Sequence, residues 1–154
     1  MMPVRGHYNV AGSNVVACWL TGYPHSVDMS IGYPRYNPGE TSITDILARG
    51  ENDASVILGA DPVSNYPKKL GEAFVNNPLI VLDPHKNIST LMADVAIPVA
   101  FSGIEASGTA YRMDNVPVTL KKVVDPPEGI LTDDEILKMI LAKVKELKAK
   151  QANA

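Results

Sequence analysis

The spacing of apolar positions changes along this chain, and each spacing predicts a different kind of element. Over the first forty residues Gly6, Gly12, Gly22, Gly32 and Gly39 are interleaved with Pro3, Pro24, Pro34 and Pro38. That density of backbone breakers leaves room for one short helix, over 13–21, with Val15, Val16, Trp19 and Leu20 as its apolar face. Residues 25–40 read as a long irregular excursion, which in a compact domain usually serves function or docks on a partner. From Thr41 the spacing becomes regular. Thr41 or Ser42 caps a helix whose Ile43, Ile46 and Leu47 share a face, and Gly50 supplies its left-handed stop. The run ASVILG over 54–59 predicts a strand buried on both faces, and LIVLD over 79–83 a second; 68–75 is a helix between them. A short helical stretch over 90–93 leads to a third strand, 95–97, closed by Pro98. Strands and helices alternating with connections this short imply right-handed crossovers and a parallel sheet.

Beyond Pro98 the pattern turns irregular. Segments 109–112 and 116–124 are extended and β-rich around Asp114 and Asn115, consistent with a hairpin that Pro117 pushes to an edge. Pro126 and Pro127 break the chain before a final amphipathic helix. There Thr132 and Glu135 form a capping box, and Asp133 and Asp134 sit at the positive end of the macrodipole. Ile136, Leu137, Ile140, Leu141, Val144 and Leu147 line one face, and the closing QANA is expected to fray. The predicted architecture is one α/β domain in three layers, αβα, with a mainly parallel sheet. Residues 1–40 form a loop region with a short helix, 41–130 the α/β core, and 131–154 the terminal helix and tail.

Composition narrows the function classes. With 154 residues, 45% hydrophobic and 20% charged, usage is ordinary for a globular domain, which argues against disorder and fibrous folds. The net charge is −3 with no basic block, so sequence-independent nucleic-acid binding is disfavoured. The longest apolar run, 15–20, is too short to span a bilayer and lacks a signal peptide's flank; the expectation is a cytoplasmic protein with no membrane partner. Cys18 is the only cysteine, so the chain makes no internal disulfide, Cys-rich zinc site or iron–sulfur cluster. Beside Trp19 in mid-helix, Cys18 reads as a small core residue.

Ligands of open parallel sheets sit beyond the carboxyl ends of the strands. Two such ends stand out. Gly59-Ala60-Asp61-Pro62 lets the backbone approach a phosphate, and Asp83-Pro84-His85 puts a carboxylate at the next strand tip, with Ser89 and Thr90 nearby. A carboxylate there suits a ribose diol or a guanine edge; alternatively Gly59 and Asp83 only end strands and cap helices. No P-loop, G-x-G-x-x-G, H-E-x-x-H, G-x-S-x-G or EF-hand pattern occurs. The histidines at 7, 25 and 85 are scattered and read as structural, and the sequon at 87–89 is inert in a cytoplasmic chain.

Two further segments, RGHYNVAGSN near the start and EASGTAYRMDNVPVTLKKVVDPPEG after residue 104, carry a resemblance together with GADPVSNYP and VLDPHKNISTLMADVAIPVA. In these four ordered motifs, which run from residue 3 to 147, the chain resembles the molybdopterin oxidoreductase superfamily, and within it the family of formylmethanofuran dehydrogenase B subunits from methanogenic archaea. The resemblance implies a molybdopterin guanine dinucleotide carrying tungsten or molybdenum, at which carbon dioxide is reduced to formate with ferredoxin-level electrons. Formate would then pass to an amidohydrolase-like subunit, alongside pterin-binding barrel and ferredoxin-like partners. By position Arg5 matches the family's active-site arginine, and Gly6, His7, Asn9 and Gly12 follow in a cofactor-facing loop. Gly59, Asp61, Asp83 and Thr90 fall on the dinucleotide loops, and Gly108, Thr109 and Arg112 on the pterin side.

Each position also has a plainer reading: a surface ion pair for Arg5, a bridge to Asp114 for Arg112, a tight turn for Gly108 and Thr109. The family's N-terminal half, with its four cysteines for a [4Fe–4S] cluster and a Cys or selenocysteine on the metal, has no counterpart here. The chain therefore resembles the C-terminal portion of such a protein, inactive alone and partnered by that half, and it supplies no metal ligand. The alternative is a non-catalytic assembly role with a degenerate nucleotide cleft.

Overall fold

Three short strands, β1 (Ser55–Leu58), β2 (Leu79–Leu82) and β3 (Val95–Ile97), pair in parallel in the order β1-β2-β3 in a computed structural model that describes residues 6–152. Between β1 and β2 run the helices Pro62–Asn65 and Lys68–Val75, and between β2 and β3 the helix Ile88–Met92. Register places Ser55, Ile57, Leu79 and Val81 on one face of the sheet and Val56, Leu58, Ile80 and Leu82 on the other. On the first face Ile57, Leu79 and Val81 close a core with Phe74 and with Leu47 of the helix Ile43–Arg49. That helix is capped by Ser42, one of the two caps expected, in a box with Asp45 that the spacing had not shown, and stops as expected at Gly50 with φ 67°.

The second face is covered only in part. The terminal helix, Asp133–Ala152, lays Ile136 and Ile140 over Leu82, Ile80, Ile97 and Val99. Its capping box is present: Thr132 N–H donates to Glu135 Oε2 (2.9 Å), and Glu135 N–H to Thr132 Oγ1 (3.3 Å). The bridge between Val99 and Leu131, with Ala100 N–H donating to Leu131 O (2.9 Å), fixes the start of the helix beside the end of β3. The helix continues through Ala152, two residues into the closing QANA. The third layer of the expected αβα stack is thus one helix, and it leaves β1 bare. Val56 and Leu58 are 53% and 42% exposed, which corrects the reading of 54–59 as a strand buried on both faces. An apolar run records that a strand is to be covered, not what covers it.

The first helix is longer than expected, Val10–Thr21, and its apolar face points outward, with Trp19 71% and Leu20 79% exposed. Cys18 is exposed as well, a correction to its reading as a core residue. The excursion over 25–40 is braced internally, where Arg35 pairs with Asp28 (2.9 Å) and Glu40 (2.9 Å) and Tyr23 stacks on Tyr36, and its end is tied to the next helix by Arg49 Nη2 donating to Glu40 O (2.8 Å). Strands Gly108–Tyr111 and Pro117–Leu120 form the expected antiparallel hairpin. Among the described residues no helix is long and apolar enough to cross a membrane.

The two faces of the sheet predict different costs. Leu82→Ala, at a fully buried position, is expected to lower stability by about 2–5 kcal/mol, and Val56→Ala by less than about 1 kcal/mol, read from urea midpoints of the same chain.

Candidate ligand-binding site

Two clefts share Tyr8 and Asn9 in their walls, one at the carboxyl ends of the strands and the other against the hairpin. The strand-tip cleft, about 480 Å³, is lined by Gly59 after β1, Asp83 after β2, His85, Phe101 and Asp133. The hairpin cleft, about 460 Å³ and mostly apolar, is lined by His7, Tyr111, Arg112, Val118 and Leu120.

The N-terminal segment is held against the hairpin by Asn9 and by the Trp19 ring, edge-on to Tyr111. Asn9 takes a left-handed conformation, φ 53°, which asparagine tolerates better than most residues, just before the first helix. Its Oδ1 accepts the Tyr111 N–H at 2.8 Å, joining positions 102 residues apart. Gly12 makes this possible, because a Cβ there would collide with the Asn9 carboxamide, 2.9 Å from its Cγ. Gly12 is thus buried beneath the Asn9 carboxamide.

At the strand tips Gly59 is left-handed, φ 55°, and nothing lies within 4 Å of where its Cβ would be, so its backbone is open to the cleft. Asp83 is buried, and both its oxygens have donors from its own loop. His85 N–H donates to Oδ1 (2.7 Å) and Asn87 Nδ2 to Oδ2 (3.0 Å). The same cleft holds Asp133, whose carboxylate accepts no hydrogen bond from the described residues. Burial, and then the like charge of Asp83, push its carboxyl above the usual aspartate range.

Other sequence-selected residues are turned elsewhere. Asp61 Oδ1 accepts the N–H (2.8 Å) and Oγ–H (2.5 Å) of Ser89, and its Oδ2 accepts Ser64 Oγ–H (2.5 Å). Burial opposes its charge, but these hydrogen bonds outweigh it and hold the carboxyl below its ordinary value. Thr90 closes a capping box with Asn87. Gly108 and Thr109 lie exposed in the hairpin and, like Gly6, Asp61 and Thr90, line neither cleft. Arg112 lines the hairpin cleft while its guanidinium bridges to Asp114 (2.7 Å). Arg5 lies outside the described residues. Among the described residues no group of three His, Cys, Asp or Glu side chains could hold a metal ion.

The site residues that sequence reasoning missed are Asp133, Tyr8 and Phe101. Asp133 reads from sequence only as an acid at a helix start, and nothing local marks it as facing Asp83. The bridge from Val99 to Leu131 puts it there.

A parallel α/β sheet with a cleft lined by hydrogen-bond-accepting carboxylates at its strand tips places this chain among the α/β proteins whose clefts lie beyond the carboxyl ends of their strands. No protein-family model matches the chain. Over 147 residues it is 53% identical to the B subunit of the tungsten-containing formylmethanofuran dehydrogenase 2 of Methanocaldococcus jannaschii, and over 148 residues 49% identical to that of Methanococcus maripaludis. Each match covers 96% of this chain and 34% of the relative. The chain is homologous to the formylmethanofuran dehydrogenase B subunit, as its motifs indicate, and spans about a third of the length of these relatives. Its fold matches, with a TM-score of 0.75 at 18% identity, a chain of the formyltransferase/hydrolase complex from Methylorubrum extorquens solved with methylofuran; 95% of this chain and 40% of that one are covered.

Two outcomes follow from the geometry. Gly→Ala inside a helix ordinarily stabilises by about 0.5–1 kcal/mol. Gly12→Ala is expected to destabilise the parent chain and to stabilise the Asn9→Ala variant, a reversal of sign visible in thermal midpoints. Asp133→Asn is expected to stabilise at neutral pH. An aspartate whose folded pKa is raised favours the folded state below its unfolded pKa and loses that contribution as pH rises through the folded value. The difference between variant and parent is therefore expected to vanish in urea titrations below the ordinary aspartate range.

Proposed function

We propose that this chain supplies one wall of the molybdopterin guanine dinucleotide site of a formylmethanofuran dehydrogenase and acts only within the larger complex. The reading is carried by the strand-tip cleft, where open space at Gly59 meets an unpaired carboxylate at Asp133, in a chain homologous to the B subunit over 96% of its length.

The residues fit the guanosine end of such a group better than its phosphates. Guanine presents adjacent N–H donors on one edge, and a carboxylate accepts two parallel hydrogen bonds. Asp133 is free to do so, while Asp83 is held rigid by His85 and Asn87 and sets the polarity of the cleft. Two carboxylates repel a pyrophosphate, so the phosphates belong nearer the hairpin cleft, where the Arg112 guanidinium, balanced there by Asp114, would have to turn from that partner to meet them. Tyr8 and Asn9, common to both clefts, would lie along the ligand between its two ends. When bound, the metal pterin supplies the two-electron reduction of carbon dioxide to formate. Arg5 is assigned from the family motif to hold the substrate oxygens and stabilise their negative charge. The cluster-bearing N-terminal half, the amidohydrolase-like protein and the barrel and ferredoxin-like proteins would be its partners, in the cytoplasm.

A non-catalytic assembly role is the second reading. One observation favours it: the solved chain sharing this fold comes from a complex named for formyl transfer and hydrolysis.

The purified complex separates the two. Tungsten or molybdenum by mass spectrometry, with guanine nucleotide released on acid treatment, is the expected result; a metal-free and nucleotide-free complex would establish the assembly role. Asp133→Asn is expected to weaken cofactor retention about tenfold or more, as loss of a hydrogen bond to a charged group would. Arg5→Ala is expected to retain cofactor and lower kcat/KM by about 10²–10³-fold.

A further inference from the structure

Beyond Ile140 the terminal helix carries an apolar seam that nothing covers. Ile136 and Ile140 pack against the sheet, whereas Leu141, Val144 and Leu147 are exposed. Leu137, Ile140, Val144 and Leu147 alternate spacings of three and four residues, the pattern by which a helix packs along another helix or a groove. The borders of the seam are cationic. Between residues 141 and 152 stand Lys143, Lys145, Lys148 and Lys150 against Glu146 alone, in a chain whose net charge is −3. Glu146 already serves Lys143 (2.8 Å) and Lys150 (2.6 Å), which leaves Lys145 and Lys148 without a carboxylate among the described residues.

These charges discriminate between occupants. Lys143 and Lys150 flank the seam on one side and Lys148 on the other. A second copy in parallel would oppose Lys143 to Lys148, and an antiparallel copy would again face lysine with lysine; both are repulsive. A lipid surface suits a broad apolar face with aromatic anchors, but the helix has no aromatic residue and its seam is narrow. Carboxylates bordering an apolar groove satisfy both features.

We propose that residues 141–152 dock a second, different polypeptide through an apolar groove or helix face bordered by aspartate and glutamate. That polypeptide is a component of the complex inferred above, so the proposal rests on that reading.

The test compares the purified complex with the isolated chain by hydrogen exchange and by carbodiimide coupling, which joins an amine to a touching carboxylate. Amides of 141–152 are expected to exchange about tenfold or more slowly in the complex, and Lys148 to couple to carboxylates of another polypeptide. Val144→Asp with Leu147→Asp, both at exposed positions, is expected to abolish protection and coupling while leaving the thermal midpoint of the isolated chain unchanged. Lys145→Glu with Lys148→Glu is expected to weaken the association and remove its salt dependence.

Equal exchange in both states overturns the docking, as does coupling only between two copies of this chain. Binding to phosphatidylglycerol vesicles that Val144→Asp with Leu147→Asp removes would likewise overturn it, in favour of a membrane. A chain that purifies with no other polypeptide overturns both the docking and the reading of the complex. A complex containing this chain with an unprotected helix overturns the docking alone.

Discussion

The hydrogen bond from the Tyr111 backbone to the Asn9 carboxamide is the contact on which the site depends. The strands would form their sheet without it, because β2 is paired on both sides and its Leu79, Val81 and Leu82 are fully buried. What Asn9 adds is a tether. It fixes the first helix against the hairpin and sets Tyr8 at the rim common to the strand-tip and hairpin clefts. One such bond contributes only about 0.5–1.5 kcal/mol net, but leaving the Tyr111 donor buried and unmet would cost more. The requirement propagates back into sequence: a left-handed asparagine at 9, and a residue without Cβ at 12.

The aspartates around the strand tips divide their roles by what already donates to them. Asp61 ties the turn after β1 to the helix after β2 through Ser89, which is itself fully buried. Asp83 orders its own loop through His85 and Asn87. Asp133 has no such duty, and its raised pKa reflects burial and a like neighbour rather than a partner. A carboxylate kept uncomfortable in this way gains most when a ligand brings donors to it, since the same partial burial that penalises its charge strengthens each bond it accepts.

Elements whose ends carry their own chemistry were legible in the sequence. The cap at Ser42, the capping box of Thr132, the left-handed Gly50 and the helix Lys68–Val75 lie where local spacing puts them. Strands β2 and β3 were equally plain. Their connections are short, so chain order dictates their neighbours. What local pattern could not give was the partner of each apolar face. Cys18, Trp19 and Val56 read as core because they are apolar and regularly spaced, yet they face outward. In the site, Gly59 and Asp83 were visible as strand ends, whereas the close approach of Gly12 to the Asn9 carboxamide was not, because it depends on the left-handed turn at Asn9. Asp133 was invisible because its position depends on a bridge between Val99 and Leu131 that no local signal encodes.

The bare half of the sheet and the chemistry of the cleft are connected. Parallel sheets persist when both faces are covered, and Val56 and Leu58 lead directly into Gly59, with Leu58 itself lining the strand-tip cleft. Any polypeptide laid over β1 would therefore also build an outer wall of that cleft. Excluding water there would lower the local dielectric around Asp83 and Asp133, raising both the penalty on an unpaired Asp133 and the strength of its bonds to a ligand. Covering the strand and closing the site are then one event, in which burial of apolar area drives the step that sharpens recognition. An uncovered β1 leaves the same carboxylates wet, and their hydrogen bonds compete with solvent.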